Sequence, residues 1–348
     1  MVNASWPRYL LFGTQLNCMI NTDAKIAENI FDKPDMAASR EGFGKGVVEA
    51  GKLDERVVVL SADLAESTQA DKFQKAFPDR FIQVGVAEQN LATVASGMAN
   101  YGKIPFITSY AAFNPGRNWE QIRTTIALNN VPVVVCGMHA GLLTGLDGAT
   151  HQMLEDIALM RAMPNMIVIS PCDAEEGRKA TLAAASCGKP VYMRFARDKT
   201  PMLTTAETPF EIGKAIVLWK TEKPQVTIFT TGPLSYNTLH AARELEKENI
   251  FATVVNVHTI KPLDEETIVR EAKLSGAVVT YEEHQINGGL GGAIAELLAK
   301  KCPLPTEMVG MKDCYGQSGT PDELVEHYEM GVTHIVEAAK KAISRATK

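Results

Sequence analysis

The run Pro132-Val133-Val134-Val135-Cys136-Gly137-Met138 carries no charged and no hydrogen-bonding side chain apart from one thiol. A strand with no polar face has to be covered on both sides, which is the condition of a strand inside a parallel sheet flanked by helices. That requirement constrains its whole neighbourhood. Further apolar strands are predicted at 57–60, 81–84, 166–170 and 191–195, and helices at 37–50, from 88 onward, and at 118–128, 154–163 and 174–185. The alternation defines a doubly wound α/β domain over residues 37–200. Threonine, proline and charge cluster over 198–211, and an interdomain linker is placed at 201–213. A second doubly wound α/β domain follows at 214–348, with strands at 226–230, 251–257 and 277–281 and helices at 235–248, 263–272, 293–300 and 332–343. Between them, 282–292 reads as a loop. Its glycines fail the dinucleotide fingerprint, because Ile294 stands where the last glycine should be, so tight packing of a turn is their expected role.

A chain of 348 residues suits two such domains. The net charge of −6, from 35 basic and 41 acidic residues, argues against a protein that grips nucleic acid through its phosphates. No basic run suits a membrane surface, and nothing approaches the roughly 20 apolar residues of a membrane span. None of the six cysteines forms a C-x-x-C pair or has zinc-like spacing to a histidine, so no metal site is expected in this chain and a reducing, cytoplasmic location is. Residues 1–36 read as an N-terminal extension, ordered only if it packs on a neighbour.

Three places attract chemistry. A short strand, a glycine, Glu88 and a small-residue helix follow one another over 81–99. Glu88 thereby stands at the carboxyl end of a strand and the amino end of a helix, where α/β proteins put their ligands. The plainer alternative is a first-turn glutamate favoured by the helix dipole. Asp63 stands just past the strand at 57–60, placed either for a ligand contact or to cap the next turn. The loop after Met138 holds His139, Gly141, Gly145, Asp147, Gly148 and His151. Two histidines in one glycine-rich loop near strand ends are candidates for proton handling. No Gly-x-Ser-x-Gly elbow and no phosphate loop is present.

The ordered set Ser39-Arg40, Ser61-Ala62-Asp63-Leu64, Gly85-Val86-Ala87-Glu88, Ala111-Ala112-Phe113, Gly145-Leu146-Asp147-Gly148-Ala149-Thr150-His151 and Ala196-Arg197 resembles transketolase. The resemblance runs from about Ala37 to near the end of the chain, over that family's pyrimidine-binding and carboxy-terminal domains. It implies a thiamine diphosphate enzyme. Glu88 matches the glutamate that hydrogen-bonds N1′ of the cofactor's aminopyrimidine, a task for a group that can exchange a proton in a dry site. Phe113 matches the aromatic that stacks on that ring, and Asp63 a residue near the thiazolium. His139, Asp147 and His151 match polar groups facing the sugar, the histidines passing protons. Arg40, Ser67 and Arg197 match phosphate-binding positions, where a guanidinium makes paired, charge-assisted hydrogen bonds.

Two departures stand out. Gln89-Asn90 follows Glu88 where many transketolases carry a histidine, a feature closer to deoxyxylulose-phosphate synthases. The Gly-Asp-Gly and asparagine set of the family's diphosphate domain is not found. The resemblance is therefore to the carboxy-terminal subunit of a split transketolase. Its partner, an N-terminal subunit, would hold the diphosphate and a Mg2+ or Ca2+ ion, in an α2β2 assembly acting on sugar phosphates. A deoxyxylulose-phosphate synthase-like or 2-oxoacid dehydrogenase β-like subunit, and an inert structural subunit, are the alternatives.

Overall fold

The computed structural model describes residues 19–346. The first sheet has seven strands, ordered Thr259–Lys261, Ile167–Ile169, Val191–Arg194, Val134–Met138, Ile104–Tyr110, Val57–Ser61 and Phe81–Gln83. Every neighbouring pair is parallel except the first, which is antiparallel. All five residues of Val134–Met138 are buried, as the apolar run requires. The antiparallel edge strand Thr259–Lys261 comes from the second domain, so the two domains share a sheet edge.

The second sheet is ordered Met19–Ile20, Ile216–Lys220, Ala252–Asn256, Val226–Thr230, Val278–Gln285 and Thr306–Met311. Its last four strands are parallel, and the first two are antiparallel to what they join. The predicted core of this domain, 226–230 and 251–257, is therefore present. It is widened by strands at 216–220 and 306–311 that the alternation did not reveal.

The helix Ser39–Leu53 contains four glycines, which weaken a helix by exposing its backbone. Their use is close approach. A Cβ on Gly42 would sit 1.8 Å from the Ala174 carbonyl oxygen, and one on Gly46 2.7 Å from that of Arg178. The helix Ala174–Ser186 thus lies directly against Ser39–Leu53. Asp173 caps it, accepting from Glu176 N–H at 2.8 Å, and also accepts from the N–H groups of Leu203 and Thr204.

Three expectations change, and the linker gains detail. The segment 282–292 is not all loop: the strand Val278–Gln285 runs through Glu282, Glu283 and His284, all three buried. The helix predicted at 118–128 is a short α-turn, Trp119–Gln121, continued by a π-helical stretch, Ile122–Ala127. The linker packs against the chain it joins. Lys199–Pro201 pairs with Met36–Ala38, and Leu203, Thr204 and Thr208 are buried. The described part of the N-terminal extension, 19–36, packs on its own chain: Met19–Ile20 edges the second sheet, and Ala24, Ile26 and Ile30 enter its core. Residues 1–18 of that extension lie outside the described residues.

Candidate active site

The parallel strands of the first sheet end on one edge, and the sequence candidates stand there. Gly85, at φ +72°, turns the chain from Phe81–Gln83 into the helix Glu88–Asn100, a conformation that costs a side chain but not glycine. The turn delivers Glu88 to the first position of that helix, with only 1% of its surface exposed. One carboxylate oxygen accepts from Ser109 Oγ at 3.2 Å and the other from Arg117 Nη1 at 2.7 Å. Asn118 Nδ2 donates to the Glu88 carbonyl at 2.9 Å, tying the helix start to the neighbouring segment. Glu88 is thus a buried carboxylate and not a solvated first-turn charge.

From Arg117 the contacts run on. Its guanidinium lies 4.5 Å from the centroid of the Phe113 ring. Phe113 meets the His151 ring edge-on at 5.6 Å, and Tyr110 lies 6.0 Å from His151 and 4.2 Å from His139. Arg40 Nη1 stands 3.1 Å from His139 Nε2 and donates to the Ser67 carbonyl at 2.5 Å. Arg40 Nε donates to the Arg197 carbonyl at 3.1 Å, and Arg197 Nη1 pairs with Asp147 at 2.6 Å. Eight of the nine candidates are joined in this one string of contacts. Ser67 enters it through its carbonyl oxygen rather than its hydroxyl.

Asp63 is the ninth. It stands exposed on the same edge, its N–H donating to Gln83 Oε1 at 2.8 Å. It does not cap a helix. Asp63 and His139 both have left-handed backbones, at φ +60° and +52°. Such strain in residues other than glycine gathers where a site over-determines the chain.

Burial first, then the charges of Arg40 and Arg197, push the His139 pKa down to about 3. Its imidazole is therefore neutral at pH 7. Arg40 is itself half-buried, and desolvation and then Arg197 lower its pKa. A cavity of about 240 Å³ opens between Arg40, Arg197, Leu143, Leu146 and Pro321, so the second domain supplies one wall. A larger hollow, about 450 Å³, lies beside Leu53, Arg56, Pro132 and Gly188. It sits at the amino ends of the strands, away from every group named above, and its size alone gives it no chemistry.

Sequence reasoning missed the residues that hold the loop. Glu283, read as part of a loop, is a buried strand residue that accepts from the Leu143 N–H. Its other oxygen faces Arg194 Nη1 at 3.4 Å, while Arg194 Nε donates to Asp156 at 2.9 Å and Tyr192 Oη to the same carboxylate at 2.6 Å. Burial raises the Glu283 pKa to about 7 against the pull of Arg194. Gly141, at φ +79°, lets the loop pass: a Cβ there would lie 2.5 Å from the Glu283 carboxyl. Arg117 was missed as well, because an arginine in a turn reads as a surface charge.

Fold and cleft together define a two-domain α/β protein with a buried carboxylate where the strands of its first sheet end. Residues 35–202 match the family model described as transketolase, pyrimidine binding domain, and residues 213–335 match transketolase, C-terminal domain. The chain belongs to the transketolase family and corresponds to its C-terminal section. A putative transketolase C-terminal section of Methanocaldococcus jannaschii is 43% identical over 310 residues, covering 87% of this chain and 96% of that one. A 6-deoxy-6-sulfo-D-fructose transketolase subunit of Clostridium sp. (strain MSTE9) is 39% identical over 306 residues, covering 88% and 94%. A solved split gene transketolase, described as an inactive beta4 tetramer, shares 44% identity and a TM-score of 0.82 over 88% of this chain and 98% of that chain.

The family implies thiamine diphosphate, and the residues present fit its pyrimidine end. Glu88 is a dry carboxylate, Phe113 offers an aromatic face to the Arg117 that pairs with it, and the buried His139 Nδ1 has no partner among the described residues. No described helix is long and apolar enough to cross a membrane.

Proposed function

We propose that this chain is the pyrimidine-side subunit of a thiamine diphosphate-dependent transketolase. It transfers a two-carbon ketol unit from a ketose phosphate to an aldose phosphate, and a separate N-terminal subunit supplies the diphosphate and metal site in an α2β2 assembly. The observation that carries this reading is the buried Glu88 carboxylate, joined through Arg117, Phe113, His151 and Tyr110 to His139 and the two arginines.

When bound, thiamine diphosphate supplies the nucleophilic carbon and the electron sink for carbon–carbon cleavage. The rest falls to this chain. Glu88 would hydrogen-bond N1′ of the pyrimidine and share a proton with it, in a site dry enough for the transfer to count. Phe113 offers a stacking face. His139 stays neutral. Since the Arg40 guanidinium can only donate, His139 Nε2 accepts from it and Nδ1 carries the proton, free to donate to a sugar oxygen. His151, half-buried next to Phe113, serves as the second proton carrier. Arg40 and Arg197 hold the terminal anion, and Asp147, already paired to Arg197, orients a hydroxyl. Asp63, at the rim, takes the thiazolium side.

The Clostridium relative is named for a sulfonated sugar, and a sulfonate would satisfy the same two guanidiniums. A phosphate is proposed here because its second charge makes fuller use of both arginines. The solved relative described as inactive holds β chains alone, which supports a division of the site between subunits.

The test is reconstitution. This chain, mixed with an N-terminal subunit that carries the diphosphate site, is expected to transfer ketol units, and this chain alone to transfer none. Pyruvate consumption with release of carbon dioxide, and no ketol transfer, would replace this reading by the synthase-like alternative that Gln89 favours. Absence of any turnover in a folded complex would favour the inert subunit.

A further inference from the structure

Arg117 is given no step in the chemistry proposed above, yet it makes two contacts at the centre of the site. Its Nη1 donates to Glu88 Oε2 at 2.7 Å, and its guanidinium carbon lies 4.5 Å from the centroid of the Phe113 ring. A guanidinium is a planar cation with donors on its edge. It can lie on an aromatic face and reach a carboxylate at once. An aminopyrimidine is also planar, and its N1′ would share a proton with a carboxyl at its rim. On the proposed function, it would need the same carboxylate and the same ring.

We infer that Arg117 is a displaceable latch on the pyrimidine site, whose guanidinium must leave Glu88 and Phe113 before the cofactor ring can take both. This inference rests on the functional reading given above. The two ends of the ion pair differ in a way that suits a latch. Glu88 is sealed at 1% exposure, while 47% of the Arg117 side chain is exposed. Arg117 can therefore swing into solvent with little rearrangement. Glu88 cannot follow it, because Ser109 Oγ holds its carboxylate and Asn118 Nδ2 its backbone carbonyl.

The latch keeps a buried carboxylate partnered, which avoids the cost of leaving a charge alone in a dry site. Breaking that pair then opposes cofactor binding and lowers affinity. Removing Arg117 is expected to tighten binding, whereas removing an ordinary positioning residue loosens it. The sign of the effect separates the two roles.

The experiment is thiamine diphosphate titration by calorimetry of the reconstituted complex, with wild-type chain, Arg117→Gln and Arg117→Met. Arg117 is half-exposed, so the glutamine variant should fold, and circular dichroism checks both. A partly exposed ion pair sets the scale of the gain, and Kd is expected to fall about three- to tenfold in both variants. Arg117→Lys keeps a charge for Glu88 but loses the planar stack, and should fall between them and wild type. An unchanged or raised Kd in the glutamine and methionine variants would overturn the latch. No binding of thiamine diphosphate by the folded wild-type complex would instead overturn the functional reading, and the latch with it.

Discussion

His139 Nε2 lies 3.1 Å from Nη1 of Arg40. The contact joins the end of the strand Val134–Met138 to the first turn of the helix Ser39–Leu53, and it fixes the state of the imidazole. A guanidinium has no lone pair to offer, so the ring must accept from it and carry its proton on Nδ1.

The pH dependence of stability follows from that contact. The folded pKa of His139 is about 3, while an unfolded histidine titrates near ~6.5. Between those values the unfolded chain binds a proton that the fold does not, so stability falls as the pH drops through the window. Glu282 and Glu283 act with the opposite sign. Burial raises each to about 7, so the fold keeps protons that the unfolded chain has lost, and their contribution fades as pH rises from the ordinary carboxylate range to 7. The informative quantity is therefore a difference. Denaturation midpoints of wild type and His139→Gln should diverge most at pH 7 and converge as the pH falls towards 5. Parallel curves would remove His139 as a source of acid lability.

Arg40 and Arg197 should act on substrate binding more than on turnover. A hydrogen bond to a charged group contributes about 1.5–3 kcal/mol, so either arginine changed to alanine should raise KM for a sugar phosphate roughly ten- to hundredfold. Steady-state kinetics of the reconstituted enzyme checks this. The same variants should leave the KM of an unphosphorylated ketose almost unchanged, because it offers no anion. Equal losses for both substrates would place the arginines elsewhere in the mechanism.

The double α/β architecture was legible because the buried strands announce themselves. Val226–Thr230 is apolar or threonine throughout and was placed to the residue. The strand Val278–Gln285 was cut short for a physical reason. Glu282, Glu283 and His284 look like a solvated turn, and only tertiary partners make their burial affordable. Glu282 accepts from the N–H groups of Leu290 and Gly291 at the start of the next helix, and Glu283 faces Arg194. The glycines after them do pack a tight turn: a Cβ on Gly289 would lie 2.0 Å from Glu282 Oε2. The ordered motifs marked residues that the fold joins by contact. How they are wired was not legible, since Arg117 reaches Glu88 across 29 residues and no periodicity marks such a pair.

Glu283 predicts how the second domain supports the first. Removing one partner of a buried ionic network leaves the others uncompensated, at a cost of about 3–5 kcal/mol. Glu283→Ala should approach that loss in urea denaturation, and Glu283→Gln, which still accepts from Leu143, should lose less. A silent alanine variant would show that the loop at 141–144 does not depend on the second domain.

Two glycines give a test of packing in opposite directions. A Cβ on Gly42 meets the backbone of Ala174, which cannot give way cheaply, so Gly42→Ala should destabilise by about 1–3 kcal/mol or more. Gly97 is exposed, in the interior of the helix Glu88–Asn100, and a Cβ there meets nothing within 4 Å. Gly97→Ala should stabilise by roughly 0.4–1 kcal/mol. Thermal unfolding of the isolated chain reads both, and a stabilising Gly42→Ala would refute the close helix contact.

The most direct measurement is the ketol-transfer rate of the reconstituted enzyme carrying Glu88→Gln, a change that keeps the shape of the side chain and removes its capacity to exchange a proton. General acid–base groups contribute about 10²–10⁴-fold, and a fall in kcat of that order is expected with the complex still assembled. A variant that turns over at the wild-type rate would contradict the role given to Glu88, and with it the account of this chain as the pyrimidine-side half of the enzyme.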